Sequence, residues 1–408
     1  MLVTLIPLFD ENMVIRAYSL FTQKSNFFLN PSYLGTGQLD GAARIDGMEV
    51  IQSMGIDTLS GSSEVFVSLT NMSLFSDVEA QCKAPHKRLV LLIDHDVKPE
   101  PMYIERIKEL KGKGYKFAIR KLLVNEFQAY SEILKLMDYV LLNYKKVDLE
   151  KATLYFKKLF PNIRICAVQV EDMDVFRKLK DTTGCTLFEG SFYKLPVTDG
   201  QTEVAPLKVN YIELLNAVNK DDFDLTKAAD IIGRDPALTI SLLKIVNNMA
   251  VYSEITSIRH AAAMLGQKEL KKWITTAVVK ELCSDKPNEI TRLAMIRAKF
   301  AENLAGCFEK AMLASEIFLM GLFSVLDVIL DQEMSEALKL IKASKNITEA
   351  LVNRTGKLAS IYEFILQYEK ANWEEVSRQM ILQNIDMNDL YDAYIDALVW
   401  YRKLILGC

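Results

Sequence analysis

Histidine is scarce in this chain: His86, His95 and His260 are the only three in 408 residues. No two stand at the i, i+4 spacing that puts two imidazoles on one helix face, so an H-E-x-x-H metal site is excluded. Neither a phosphate-cradling P-loop nor a G-x-S-x-G nucleophile turn occurs. The six cysteines, Cys82, Cys166, Cys185, Cys283, Cys307 and Cys408, form no C-x-x-C pair. That argues against zinc or thiol redox chemistry and for reduced, buried thiols. Long apolar runs are missing as well: none reaches the ~18 residues that suggest a membrane span. The N-terminal run MLVTLIPLF has no basic leader and ends at Asp10 and Glu11. It reads as a buried strand, not a signal peptide, and a cytoplasmic location is expected. Positive charge is not in excess, the net charge being −4, so nucleic acid is not an expected partner. The pairs Lys145 with Lys146 and Lys271 with Lys272 read as solvated faces.

The length suggests more than one core, at roughly 150 residues per domain. Residues 1–200 alternate short β-rich runs with amphipathic ones. Strands are expected at Leu2–Phe9, Val14–Phe21, Val65–Thr70, Arg88–Asp94, Tyr115–Arg120, Tyr139–Asn143, Ile163–Val168 and Thr186–Phe188. Nearly continuous apolar runs such as LVLLI at 89–93 suit strands covered on both faces, hence a parallel sheet. Helices are expected at Pro101–Lys113, Glu126–Leu136, Leu149–Leu159 and Asp172–Lys180. This alternation predicts a β/α barrel, with an open doubly wound sheet as the alternative. No G-x-G-x-x-G follows an early strand, so a dinucleotide fold has no support.

After a linker at Val197–Pro206 the strand pattern stops. Helices are expected near Val209–Val218, Leu225–Gly233, Pro236–Asn248, Ser257–Leu265, Gln267–Leu282, Glu289–Ala311, Ala314–Leu330 and Asp331–Leu340. Three or four more lie from Thr348 onward. Asp224, Asp235 and Ser257 are suited to cap, with Pro236 at a first helical position and Gly266 as a terminator. The change of pattern places a domain boundary near residue 200, giving a barrel over 1–200 and a helical domain over 201–408. Near the end, Tyr394, Leu398, Val399, Tyr401 and Leu404 form an apolar stripe, for packing within the domain or for self-association. Asp221 and Asp222 read as solvated.

One local cluster invites a metal reading. Asp94-His95-Asp96 closes the run RLVLLID, and strand C-termini are where barrels carry function. The competing reading is a turn whose side chains cap the next helix.

At this point the residues resemble a family. The first half resembles the EAL domain, a barrel that cleaves cyclic di-GMP. The second resembles the HDOD domain, a non-catalytic relative of the HD metal-dependent phosphohydrolases. The order is similar to YuxH-type EAL–HDOD two-domain bacterial signalling proteins, over nearly the whole chain. In IRAYSLF, Ser19 stands where the resemblance implies the metal-binding Glu, and Gln23 where it implies a ligand-contacting Arg. In EVFVSLTN, Ser68 replaces a metal-ligand Asn. In RLVLLIDHD, Leu92 replaces a Glu, and Asp94 two residues on is either a displaced ligand or a shift of register. In GYKFAIRKL, Arg120 and Lys121 replace an Asp-Asp pair. In MDYVLLNYK, Leu141 and Asn143 replace a catalytic Lys and its Asp. Glu171 stays acidic and reads as a helix-start residue. In LFEGSFYKLP the framework of Gly190, Phe192 and Pro196 is kept, with Glu189 for a Gln.

The helical half matches more closely. Asp235-Pro236, Asn247-Asn248 and Leu265-Gly266 carry the HDOD likeness, and Ser324 and Val325 stand where HD hydrolases have His-Asp. Two cations where two carboxylates would hold divalent metal are electrostatically unfavourable for that metal. The resemblance therefore implies no cofactor and no metal, and a catalytically inactive adaptor acting through protein–protein contacts. A histidine kinase or response regulator, or a second copy of the chain, would be the partner. The alternative is a receptor that binds cyclic di-GMP without cleaving it, using Arg120, Lys121, Lys145 and Phe192. An active metal-dependent phosphodiesterase is the least favoured reading.

Overall fold

The computed structural model describes residues 1–26, 28, 44–194, 206–220, 224–233, 236–249 and 255–406. All eight expected strands form: β1 Leu2–Phe9, β2 Ile15–Gln23, β3 Glu64–Ser68, β4 Leu89–Ile93, β5 Lys116–Arg120, β6 Tyr139–Asn143, β7 Arg164–Val170 and β8 Leu187–Gly190. They close in sequence order into a barrel, so the open-sheet alternative falls away.

One strand departs from the expected parallel sheet. β1 runs antiparallel to both β2 and β8, while β2 to β8 are parallel. The reason is the length of the β1–β2 link. A parallel crossover needs about a dozen residues or more, whereas a few suffice for a hairpin. Asp10 ties this hairpin together, accepting from the Asn12 and Val14 N–H groups at 2.9 and 3.0 Å and pairing with Arg16 at 2.7 Å. Those bonds hold its carboxyl below the usual range against the opposing effect of burial.

The longer helices are α1 Met48–Met54, α2 Pro101–Gly112, α3 Leu149–Leu159, α4 Met173–Thr182, α5 Pro206–Val218, α6 Leu225–Ile232 and α7 Pro236–Met249. They continue with α8 Ile258–Leu282, α9 Asn288–Leu304, α10 Ala314–Phe323, α11 Met334–Leu340, α12 Ala359–Glu369, α13 Trp373–Leu382 and α14 Met387–Leu406. The expected helix at Glu126–Leu136 shortens to a 3-10 turn at Val124–Glu126 and a single turn at Ser131–Leu134. The expected helix over Ala314–Leu330 breaks after α10 and resumes at Leu326–Leu330. Ser324 Oγ donates to the Gly321 carbonyl at 2.6 Å, a local bond that competes with the helix ladder. Within α8, Gly266 has φ 74° and ψ 168°, so the terminator expected there does separate two helical segments.

The chain divides into two compact units, Met1–Leu195 with Leu366–Cys408, and Pro196–Ile365. This differs from a helical domain running to residue 408: the last helices belong with the barrel, and the division falls inside α12. Their attachment is specific. The Val3 N–H donates to Tyr368 Oη at 3.2 Å, Asn26 Nδ2 donates to the Ser377 carbonyl at 3.1 Å, and Lys194 pairs with Glu369 at 3.0 Å. Tyr394 and Leu398 of the apolar stripe are buried in this unit, while Val399, Tyr401 and Leu404 are half-buried. Among the described residues, no helix is long and apolar enough to cross a membrane.

Candidate functional site

Inside the barrel, side chains from alternate strand positions form one apolar core. Leu8, Ala17, Phe66, Val90, Leu92, Ala118, Tyr139, Leu141, Cys166 and Leu187 pack there. Leu92 and Leu141 are thus lumen side chains, each at most 3 % exposed. Positions that the resemblance assigns to a Glu and a catalytic Lys are filled with hydrocarbon. At those two positions the lumen excludes water and offers no lone pair to a cation.

Polar groups gather toward the C-terminal ends of the parallel strands. Ser19, 2 % exposed on β2, donates its Oγ hydrogen to Glu189 on β8 at 2.9 Å. Burial raises the Glu189 carboxyl above its ordinary range, against the pull of Ser19 and of the Arg120 charge. Arg120 ends β5. Its guanidinium lies 6.0 Å over the Phe21 ring, and its Nε is buried without a hydrogen-bond partner. Burial lowers its pKa, and the carboxylates of Asp94 and Glu189 oppose that shift. The next residue, Lys121, adopts φ 64° and pairs with Asp94 at 3.1 Å.

Asp94, His95 and Asp96 do lie close, each offering a ligand atom within 4.8 Å of the others. Their hydrogen bonds favour the turn. Asp94 Oδ1 accepts from the Asp96 N–H at 3.0 Å, and its other oxygen takes Lys121. Hydrogen bonding and the lysine hold its carboxyl low despite burial.

The remaining positions are engaged elsewhere. Gln23 Nε2 donates to the Ser25 carbonyl at 2.7 Å and to Ser377 Oγ at 3.1 Å, so this end of β2 anchors the C-terminal helices. Ser68 ends β3, opposite Leu92. Asn143 Nδ2 donates to Gln169 Oε1 at 2.6 Å, and its Oδ1 accepts from the Lys145 N–H at 2.9 Å. Glu171 is exposed and pairs with Lys145 at 2.5 Å. It is not the helix-start residue: Asp172 caps α4, accepting from the Val175 N–H at 2.8 Å. Phe192 is fully buried, stacked on Phe176 at 4.7 Å and edge-on to Phe9 at 5.4 Å. It presents no face to a ligand.

In the helical unit, Asn247 clamps a loop, its Nδ2 donating to the Ile255 carbonyl at 2.9 Å and its Oδ1 accepting from the Ile255 N–H at 2.7 Å. Ser257 caps α8 as expected. Pro236 begins α7. Asp235, Asp221, Asp222, the linker residues 197–205, Cys408 and the side chain of Asn248 lie outside the described residues. Ser324 and Val325 sit at the break after α10. Arg297, 3 % exposed, donates to Ser324 Oγ at 2.6 Å. Nearby Asp327 has its carboxyl pushed up to about 6, mainly by burial. Periodicity alone does not single out Arg297 and Asp327, because a charged residue on an amphipathic helix looks solvated until its neighbours are placed.

With this geometry in view, the chain can be set beside known proteins. The HDOD domain model matches residues 204–360. YuxH of Bacillus subtilis, an uncharacterized protein, is 26 % identical over 409 residues, covering 98 % of this chain and 97 % of that one. The cyclic di-GMP phosphodiesterase CdgJ of Vibrio cholerae is 26 % identical over 362 residues, 88 % of this chain and 83 % of its own. Among solved structures, the EAL domain of Mycobacterium smegmatis DcpA is similar at TM-score 0.35 and 14 % identity, over 46 % of this chain and 89 % of that one. An EAL domain protein of Listeria monocytogenes is similar at TM-score 0.36 and 16 % identity, over 47 % and 86 %. Residues 204–360 are an HDOD domain, in a chain related over most of its length to the EAL–HDOD proteins YuxH and CdgJ.

Proposed function

We propose that the barrel does not hydrolyse cyclic di-GMP and that the chain acts as a signal-transduction adaptor through protein–protein contacts. The observation that carries this reading is Arg120. A fixed cation stands at the barrel mouth, within electrostatic reach of Asp94 and Glu189. The carboxylates that divalent metal would need there are engaged by protein cations and by Ser19. The donor set does not fit a metal pair: Ser19, Ser68, Leu92, Leu141 and Asn143 supply hydroxyls, hydrocarbon and an amide already bonded to Gln169. Two-metal phosphodiester cleavage needs closely spaced metals on hard, anionic ligands.

The test is turnover. Full-length protein is incubated with cyclic di-GMP and Mg²⁺ or Mn²⁺, and the products are separated by chromatography, with CdgJ alongside. No linear dinucleotide is expected. Turnover that survives further purification and is lost on Glu171→Gln would sink the proposal. The adaptor half is tested by cross-linked capture from the native host. Finding no stable partner, including a second copy of the chain, removes it.

A second reading has one observation behind it. The buried Arg120 Nε has no hydrogen-bond partner, and a guanidinium beside an aromatic ring is suited to a planar anion or base. Calorimetry with cyclic di-GMP distinguishes the two: binding without turnover, abolished by Arg120→Ala, makes the barrel a receptor.

A further inference from the structure

The HDOD domain contains a cavity of about 740 Å³ that lies wholly within the helical unit. That volume suits a small organic ligand, for which pockets of roughly 300–1,000 Å³ are usual. Its wall carries Lys220, Lys268, Lys271, Lys272 and Lys342 against a single carboxylate, Glu316. Glu316 is already engaged, accepting from Ser344 Oγ and from Asn346 Nδ2. Lys272 is neutralised by Glu302 at 2.6 Å. Lys268 and Lys342 are exposed and form no ion pair among the described residues. A concave wall of one sign focuses its field and attracts the opposite charge.

Two backbone features put these ammonium groups at the cavity. Gly266 breaks α8, so Lys268 stands in the first turn of a new segment, where a helix carries partial positive charge. Lys342 follows α11 with φ 50°. Its N–H bonds to the Lys339 carbonyl and that of Ala343 to the Leu338 carbonyl, both at 3.1 Å. This is a Schellman ending with lysine at the left-handed position where glycine is usual. A lysine in that conformation is backbone strain that a glycine would relieve.

The floor supplies selectivity beyond charge. Asn216 Nδ2 donates to the Leu340 carbonyl at 2.9 Å, leaving its buried Oδ1 without a partner. Ser315 Oγ is likewise buried and unpartnered. An acceptor and a hydroxyl left open beside Leu319 and Ile347 are suited to the polar edge of an organic body. We propose that this cavity binds a small phosphorylated organic molecule, its phosphates on Lys268, Lys342 and Lys220 and its polar edge on Asn216 and Ser315. The site would give the helical domain its own ligand, independent of the barrel.

The experiment is calorimetry on the full chain at low salt with two probes, inorganic pyrophosphate and ATP, without divalent metal. Saturable one-to-one binding of both is expected, tighter for ATP. Lys268→Gln and Lys342→Gly should each weaken it about tenfold, the scale of one charge-assisted contact. Lys342→Gly should leave the unfolding midpoint equal or higher, which separates loss of the ammonium from loss of the fold. Lys151→Ala, an exposed charge of the barrel, should leave binding unchanged. No saturable binding of either probe up to about 1 mM, a dissociation constant already marginal for a specific site, overturns the proposal. So does affinity unaltered in both lysine variants. A polyglutamate peptide that binds through these lysines while both probes fail would make the cavity a protein-docking surface, and also overturns it.

Discussion

Both regions of the molecule set an arginine beside acidic groups, buried in one and half-buried in the other, and they treat it differently. In the helical unit Arg297 is tied to Ser324 Oγ at 2.6 Å, with Asp327 close enough to feel its charge. In the barrel, Arg120 keeps a buried Nε without a partner, over Phe21. An unsatisfied buried donor costs about 1–3 kcal/mol, so it persists where something other than packing shaped the surroundings. The helical arginine reads as structure. The barrel arginine carries a donor that the packing around it leaves unused.

The sharpest break of this comparison comes from two glycines, one in each region. A Cβ on Gly190 would lie 1.9 Å from the Val170 carbonyl oxygen, against the backbone at the β7–β8 irregularity. Gly190→Ala should destabilise the barrel by about 4 kcal/mol or more. On Gly321 a Cβ would lie 2.7 Å from Ala298 Cα, where α10 crosses α9. Gly321→Ala should cost the helical unit about 3 kcal/mol, since helices can separate slightly where a barrel ladder cannot. Hydrogen exchange read by mass spectrometry assigns each loss to its unit. Equal loss of protection in both units from either variant would show that they unfold as one body.

The next effect is one of pH. Asp327 has a carboxyl pushed up to about 6 when folded, above its ordinary 3.8. A raised acid contributes stability that is complete below pH 4 and lost as pH rises through 6. Asp327→Asn should therefore stabilise the helical unit at pH 7.5, by up to about 3 kcal/mol, and give no gain at pH 4. Denaturation curves at the two pH values decide it. A gain of the same size at both would remove ionisation as the cause.

A smaller change is expected at Gly266, where φ 74° and ψ 168° suit only glycine but nothing lies within 4 Å of an added Cβ. Gly266→Ala should cost about 1–3 kcal/mol from the backbone alone. The smallest effect is at the barrel rim: Lys145 and Glu171 are both exposed, and Lys145→Ala should leave the thermal midpoint unmoved. A clear shift there would mean the rim is more tightly built than exposed ion pairs usually are.

Much of the fold was legible because short-range patterns encode it. The run LVLLI became β4, buried at every position. Ser257 capped α8 with its own side chain, whereas the start of α4 fell to Asp172 and not to Glu171. The reversed β1 was also within reach, since the short link between Phe9 and Ile15 cannot make a crossover. The site was less legible. Ser19, Arg120 and Lys121 stood out as unlike the family pattern, but nothing local showed that Ser19 would bond Glu189, 170 residues away. Nor did it show that Phe192, kept from the pattern, would be sealed between Phe9 and Phe176.

The amino-acid sequence determined the strands, most of the helices and the change from β/α to all-α. These depend on residue type and on spacing of about two to four residues. Only the tertiary structure decided that α13 and α14 return to the barrel, that Gln23 serves Ser377 instead of a ligand, and that scattered lysines of the helical unit share one cavity. Periodicity shows that a face is buried, but not against what. That partner is chosen by contacts between residues hundreds apart, such as Val3 with Tyr368.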